Sequence, residues 1–443
     1  MLEGRSVRVF APGAYAYRNK GDATLVLAFI AWLRTAFDDP DITLTSFEPA
    51  DSARYGVPVL DMATRPLRPF KTISHRIGAR IPGVRGLIPY LMYSYTVVVC
   101  WLLRRWVWVY RSRPAIAARL APSHILRLTR AIEAADLVIT IPGGFLLAPA
   151  VVDDWWLFHL PTLELVRALG KPVVLSPCSI GPFAGFHRDV ASRLLARCAH
   201  LYVREEWSRD YVLGLGVAAD RVAYCPDLAF MFSDVDAGAP APIKADSIDS
   251  GDERPLLGIS VRWHSFPGSD NPKGERQLYM RALADTADHM IERYGARVVV
   301  APQTLEDLKA GRALYNEIVH HGDVVLLEDD LSPADLQDLY ARCRILVGTR
   351  MHANILAMCV STPVVAIAYQ PKTTGIMALM GLDEWVLAID DVSDLVARAD
   401  HLWIHADDVR ETLPDKVKAL RTAAVAVAHE MAVNHDLQAS LSR

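Results

Sequence analysis

None of the six cysteines, Cys100, Cys178, Cys198, Cys225, Cys343 and Cys359, stands in a C-x-x-C pair, which excludes a zinc ribbon or a dithiol redox motif. Scattered mostly through apolar runs, they read as buried thiols of a reducing compartment. No continuous apolar core or small-residue cleavage site follows the first methionine; "MLEGRSVRVFAPGAY" enters a short strand flanked by Arg5 and Arg8, so export is not expected. The acidic pair Asp153 and Asp154 has no histidine nearby in a ligand spacing. Neither a metal nor a bound cofactor is expected.

Acidic residues are missing from one long stretch. Between Met62 and Ile132 stand 12 arginines and one lysine with no Asp or Glu; subtracting this +13 from the net −4 leaves −17 for the rest of the chain. In its middle the uncharged run Leu87–Leu103 has 17 residues, broken by Pro89, which is short for a membrane-crossing helix. Arg104 and Arg105 follow inside a cluster of Trp101, Trp106 and Trp108. Tryptophan and arginine beside an aliphatic run suit a helix lying on an anionic membrane surface. The alternative is a helix buried under the N-terminal domain with its arginines solvated. Nucleic acid is not expected as a partner, because the basic residues are interleaved with aliphatic runs rather than with small polar residues.

What the chain does have is alternation. Its 443 residues, 52% of them hydrophobic, suit two domains with separate cores. In the first half "SVRVF", "ITLTSF", "DLVITI", "PVVLSP" and "HLYVRE" read as strands, separated by helical stretches such as "GDATLVLAFIAWLRTAF" and "RDVASRLLARCA". This β-α rhythm predicts an α/β fold with doubly wound parallel sheets. The stretch after Phe232, "SDVDAGAPAPIKADSIDSGDERP", has almost no large apolar residue and reads as a flexible linker or a disordered loop. It divides an N-terminal domain, 1–235, from a C-terminal domain, 256–443, across a linker at 236–255, and two such domains leave a cleft. Rhythm then resumes with "LLGISVRW", "ARVVVAPQ", "VVLLED" and "RILVGT" as strands, and Ser332 is placed to cap a helix with Asp335 at its third position.

Ligands of open parallel sheets bind beyond the carboxyl ends of the strands. At one such end "RILVGTRMHANILAMC" puts Arg350 and His352 at the start of a helix. Unpaired amide N–H groups there favour an anion, Arg350 adds a planar fork suited to carboxylate or phosphate, and His352 can exchange a proton near neutrality. Alternatively, Arg350 pairs with a helix carboxylate and His352 is an ordinary half-buried histidine. Arg262 and His264 in "SVRWHS" also end a strand. Asn19, Gly21 and Asp22 in "NKGDATLVL" lie between strand and helix, where Gly21 permits a tight turn and Asp22 accepts hydrogen bonds from hydroxyls or caps the helix. "IPGGF", with Gly143 and Gly144, and "SIGPF", with Ser179 and Gly181, read as glycine turns suited to close approach of a sugar ring, or as plain turns.

Read together with "YVREEWSRDYVLGLGV" and "CPDLAF", these motifs occur in the order of the polysaccharide pyruvyl transferase family, which the chain resembles from about residue 10 to 385. It departs from the family's pattern at "PGGF", Pro142 to Phe145, and at Pro177 and Cys178. The resemblance implies a GT-B-like pair of Rossmann-type domains that transfers the enolpyruvyl group of phosphoenolpyruvate to a sugar of an exopolysaccharide or cell-surface glycan, forming a pyruvate ketal. It further implies Arg350 as an anion clamp and His352 as the acid that protonates C3 of phosphoenolpyruvate. Arg204 matches the arginine of the family's R-[DE]-x-x-S stretch and becomes a second clamp, unless it pairs with Glu205 or Asp210. Lys372 completes the donor site or is a solvated loop lysine, and Arg262 joins it. The N-terminal domain is expected to hold the sugar through Asn19, Gly21, Asp22, Gly143, Gly144, Ser179 and Gly181. A sugar built on a lipid carrier, reached by an enzyme peripheral on the inner, cytoplasmic face of the membrane, would account for the basic segment. Two other readings compete: a GT-B glycosyltransferase using a nucleotide sugar, and a non-catalytic membrane-associated assembly factor. Against the first, no acidic residue lies between Met351 and Tyr369 to receive a ribose. The second leaves Arg350 and His352 unexplained.

Overall fold

The computed structural model describes residues 6–64, 86–234, 252–267 and 269–441. The chain divides into two compact units. The first comprises residues 1–17, 29–228 and 423–443, and the second 18–28 and 229–422. Two features of this division depart from the boundaries read in sequence: residues 18–28 belong to the second unit, and the end of the last helix, Ala406–Leu441, belongs to the first. Most of the expected linker, and residues 65–85 of the basic segment, lie outside the described residues.

In the first unit one parallel sheet has the order β3-β2-β1-β4, from β1 (Arg8–Ala14), β2 (Asp41–Ser46), β3 (Val59–Asp61) and β4 (Leu137–Val138). A second has the order β5-β6-β7-β8, from β5 (Gly143–Ala148), β6 (Val174–Phe183), β7 (His200–Val203) and β8 (Val222–Tyr224). A parallel bridge between Ile139 and Val174 links them. Strands such as "RVFAPGA" and "VLSPCSIGPF" are buried along nearly their whole length, as strands covered on both faces must be. Phe10, Val138, Leu146, Leu175 and Leu201 share one core. "GGFLLA" and "SIGPF" are strand, not the glycine turns expected of them, because they pair with each other across two register shifts: Gly143 with Cys178, Leu146 with Ile180 and Ala148 with Phe183.

The second unit holds one parallel sheet of order β11-β10-β9-β12-β13-β14, from β9 (Leu256–Ser260), β10 (Arg297–Val300), β11 (Val324–Leu326), β12 (Cys343–Gly348), β13 (Val364–Ala368) and β14 (Val386–Ala388). Numbered within the unit this is 3-2-1-4-5-6, the order of a doubly wound dinucleotide-binding sheet. Winding reverses between β9 and β12, and ligands of such sheets collect beyond the strand ends at that place. Ser332 caps the Pro333–Ala341 helix in a reciprocal box with Asp335, as its spacing predicts.

A histidine that sequence reading passed over is buried in the first unit. His159 ends a short 3-10 turn, stacks 4.4 Å from the Phe145 ring, and so fills the space over β1 that a Cβ on Gly13 would fall 2.8 Å from its Nδ1. Gly13 sits at φ +98 and needs glycine on that account too. Burial pushes the His159 pKa down to about 3. The folded state thus holds it neutral, whereas the unfolded chain protonates it below about pH 6.5. Between those limits the unfolded state binds the extra proton, so stability falls as pH falls, by at most about 1.4 kcal/mol per unit. The melting temperature of wild type relative to His159→Gln should therefore drop on going from pH 7 to pH 5. A pH-independent difference would place the histidine in a polar, solvated site.

Candidate active site

The reversal point of the second sheet is where the charged residues gather. The amide of Thr349, just after β12, donates to the Ser260 carbonyl at the end of β9 over 2.9 Å, holding the two strand ends together. The Met351–Cys359 helix starts there with Arg350 as its N-cap, in extended conformation and without a side-chain cap. The Arg350 side chain therefore satisfies none of the first amide groups of this helix. The Arg350 side chain turns aside: Nε and Nη2 donate to the two oxygens of Asp307 at 2.9 and 2.6 Å. Burial alone would depress the Arg350 pKa, but the Asp307 charge and hydrogen bonds raise it above its ordinary value. The fork consumes one edge of the guanidinium, and Nη1 lies outside it. The pairing with a helix carboxylate, left open from sequence, is thus present.

Asp307 is fully buried and stands at the third position of the Leu305–Glu317 helix, where Thr304 caps its amide through Oγ1 at 3.1 Å. This T-L-E-D spacing was legible as a helix start; that its acid would anchor Arg350 was not.

Asn19, Gly21 and Asp22, expected in the sugar-holding N-terminal domain, lie instead in the second unit. Two contacts tie them there: the Lys20 amide donates to the Gln303 carbonyl at 3.1 Å, and buried Lys20 forms an ion pair with Asp330 at 2.5 Å. The first turn of the Lys20–Ala36 helix is capped by Asn19, which accepts from the Asp22 amide at 3.4 Å and donates to the Asp22 carboxylate at 2.6 Å. Asp22 is close enough for its charge to raise the Arg350 pKa. Gly21 is required for a reason other than a turn. A Cβ there would fall 2.8 Å from Nδ1 of His352, so the half-buried imidazole lies against bare backbone.

Arg262 follows β9. Its Nη1 donates to the Tyr369 hydroxyl, and its guanidinium lies 4.1 Å over the Tyr369 ring. The Arg262 amide donates to the Tyr279 hydroxyl at 3.3 Å, which lies 2.8 Å from Thr349 Oγ1. Buried Tyr279 therefore links both strand ends, and burial pushes its pKa up to about 12. Arg262 also borders a cavity of about 1620 Å³ with aromatic walls from Trp263, His264 and Tyr369. Burial, then the neighbouring Arg262 charge, lower the His264 pKa. Four carboxylates, Asp270, Glu275, Asp383 and Asp390, line the same cavity. Lys372 is half-buried in the first turn of the Pro371–Leu379 helix rather than in a loop.

In the first unit the expected clamp Arg204 is 2% exposed. Nη1 donates to Asp227 at 2.7 Å, and Nε to Glu205 and Ser179 at 3.0 and 2.9 Å. Burial disfavours this charge, but Asp227 and Glu205 outweigh it and raise the pKa. Glu205 also accepts from Ser179 at 2.7 Å and Ser208 at 3.1 Å, and Ser208 in turn accepts from the Ile180 amide at 3.0 Å. Thus the arginine expected to hold an anion is held by carboxylates, one of them the Glu205 foreseen as the alternative. Ser179, expected at the sugar, is bonded into this network. Gly181, at φ +80, leaves room for the Tyr211 ring, and a Cβ on Gly143 would overlap the Tyr15 hydroxyl. Gly144 lies beside the network, its Cβ position 3.8 Å from Arg204 Nη2.

Comparison with known proteins agrees with this architecture. The family model "Polysaccharide pyruvyl transferase" matches residues 19–371. The amylovoran biosynthesis protein AmsJ of Erwinia amylovora is 22% identical over 427 residues, 94% of this chain and 96% of that one. Among solved structures, Anabaena HepE in complex with UDP-glucose superposes with a TM-score of 0.54 at 12% identity, covering 96% of this chain and 98% of its own. The S. aureus MnaA–UDP structure gives 0.55 at 11%, covering 97% and 95%. A glycosyltransferase from Rickettsia africae gives 0.56 at 9%, covering 97% and 99%. These structural likenesses show the fold, two Rossmann-like domains of GT-B type. With its motifs carried by the strand ends just described and the family model spanning most of its length, the chain belongs to the polysaccharide pyruvyl transferase family.

Proposed function

We propose that this transferase takes the enolpyruvyl group from phosphoenolpyruvate at the reversal point of its second sheet and builds a pyruvate ketal on a sugar carried by a lipid. One observation supports this above the rest. Arg350 is the N-cap of the Met351–Cys359 helix, His352 stands in that helix's first turn against Gly21, the Asp22 charge is near Arg350, and Arg262 follows the neighbouring strand β9. A small dianionic donor needs fixed cations and helix amides, and its methylene carbon needs an acid beside it. His352 gives its proton to C3, a sugar hydroxyl adds at the electron-poor C2, the C–O bond to phosphate breaks, and the second hydroxyl closes the ketal. Of the two hydroxyl protons released, one restores His352 and the other leaves with phosphate. No metal or cofactor enters this scheme. The cavity beside Arg262, with four carboxylates against one arginine, opposes any anion in its interior, so the anionic donor is confined to the helix start. Aromatic walls with carboxylate acceptors suit a polyhydroxylated acceptor instead. We place the protein at the cytoplasmic face of the membrane, where a lipid-borne acceptor is presented.

The direct test incubates the protein with phosphoenolpyruvate and lipid-linked glycans and follows phosphate release and the mass of the ketal. Consumption of a nucleotide sugar with no phosphate release from phosphoenolpyruvate would replace this reading with the glycosyltransferase one.

Arg350→Ala alone would strand Asp307 as a buried lone charge, at a cost of about 3 to 5 kcal/mol in stability. Combined with Asp307→Asn it isolates the donor contact. Calorimetric affinity for phosphoenolpyruvate should then fall by about 2 to 5 kcal/mol, and unchanged affinity would remove Arg350 from the donor site.

For His352→Gln, turnover should fall about 100-fold or more while donor affinity is kept, because a general acid acts mainly in the transition state. Near-normal turnover would assign the proton to another group.

Gly21→Ala should act through the same imidazole. Its methyl would displace His352, and an ångström of misplacement costs about 100-fold in rate, so kcat should drop with circular dichroism and donor affinity preserved. A fully active variant would mean that the ring position is immaterial.

A further inference from the structure

The Ile88–Ser112 helix packs onto the first unit through one face, with Ile88, Met92, Thr96, Leu103 and Val107 buried. Its opposite face is also apolar. Tyr90, Leu91, Val98, Trp101, Leu102 and Trp108 recur at helical spacing and are exposed, Trp101 by 53% and Trp108 by 63%. A 25-residue helix is roughly 37 Å long, and such a stripe exceeds what a water-facing helix ordinarily shows. No helix among the described residues is long and apolar enough to cross a membrane.

A second observation says what covers this face. Between this helix and the helices Leu160–Ala168 and Phe186–Leu195 lies a cavity of about 270 Å³, with Val97 and Trp101 at its lip. Five cations line it, Arg104, Arg167, Lys171, Arg193 and Arg197, against the single carboxylate Glu164. Arg104 and Arg167 both donate to Glu164, which holds them in place, and Lys171 donates to the Ala135 carbonyl at 2.6 Å. Arg193, in the last turn of the Phe186–Leu195 helix, and Arg197, in the turn that follows it, are exposed. On the apolar face itself the Arg105 guanidinium lies 5.6 Å from the Trp101 ring. Four of these five cations, Arg167, Lys171, Arg193 and Arg197, come from outside the basic stretch of sequence.

We propose that the first unit docks on an anionic bilayer, with the exposed face of the Ile88–Ser112 helix in the interface and the phosphate of a lipid headgroup seated among these five cations. Arginines near the leaflet each add about 1 kcal/mol of attraction, and buried tryptophans resist its screening by salt. The inference extends the lipid-linked part of the proposed function and does not depend on the reaction. The full-length protein should float with vesicles of phosphatidylcholine containing phosphatidylglycerol, and brominated acyl chains should quench its tryptophan emission. Vesicles of phosphatidylcholine alone should bind it at least tenfold more weakly. Arg193→Glu with Arg197→Glu should reduce flotation tenfold or more, while Trp101→Ser with Trp108→Ser should leave binding that moderate salt abolishes. Each variant is checked by circular dichroism.

Absence of flotation with every vesicle composition by folded wild type overturns the proposal. So does a tryptophan response to inorganic phosphate without vesicle binding, which would assign the cavity to free phosphate. Self-association lost on Trp108→Ser would assign the face to a second copy. Vesicle binding without phosphate release from phosphoenolpyruvate would sink the reaction and leave the docking intact. Release of phosphate with a soluble acceptor but no vesicle binding would do the reverse.

Discussion

A fully buried carboxylate at the start of one helix sets the direction of an arginine at the start of another, and the arrangement of the second unit's strand ends depends on that pair. Asp307 away from water is tolerable only if its charge is met, since an unmatched buried ion costs several kcal/mol. The Arg350 fork meets it in two hydrogen bonds of 2.9 and 2.6 Å. Because Arg350 is also the N-cap of the Met351–Cys359 helix, anchoring its side chain fixes the angle at which the helix leaves β12. His352 is one residue into that helix. Its ring is thereby brought against Gly21, at a position where any other residue would push it away.

The first unit uses the same material differently. Arg204 is likewise buried beside carboxylates, but Asp227 takes one side of its guanidinium and Glu205 and Ser179 another. Glu205 then joins Ser179 on β6 to Ser208 on the Glu206–Gly214 helix. The spacing R-E-x-x-S is thus a device by which a strand end, a helix start and the neighbouring strand hold one another. Arg350 differs in meeting a single carboxylate and in having 17% of its side chain exposed. Two arginines with equal claims in the sequence are separated by how many carboxylates each one meets, two for Arg204 and one for Arg350.

Charge is sorted in space as well as along the chain. The cavity beside Arg262 has carboxylates in excess, and the cavity under the Ile88–Ser112 helix has cations in excess. A near-neutral total, −4, conceals both. Each is built from at least two segments remote in sequence, so neither composition nor a charge window along the chain describes it.

Much was legible in the chain itself. Runs such as "RILVGT" and "ARVVVAPQ" are strands because β-branched residues with no polar alternation can be satisfied only inside a parallel sheet, and Ser332 caps its helix because its hydroxyl reaches the amide three residues on. Alternation of such runs with helices dictated two Rossmann-like units, and the placement of Arg350 and His352 after β12 followed from the same rhythm. Glycine-rich stretches misled: Gly143 and Gly181 suggest turns locally, yet the long-range ladder between β5 and β6 makes strands of both segments. Tertiary contacts alone decided that Asn19, Gly21 and Asp22 join the second unit, because the ion pair of Lys20 with Asp330 and its amide bond to Gln303 depend on residues some three hundred positions away. They decided equally how many carboxylates each arginine meets, since a fork is filled by whatever carboxylates the fold brings to it, and sequence spacing carries no record of those distances.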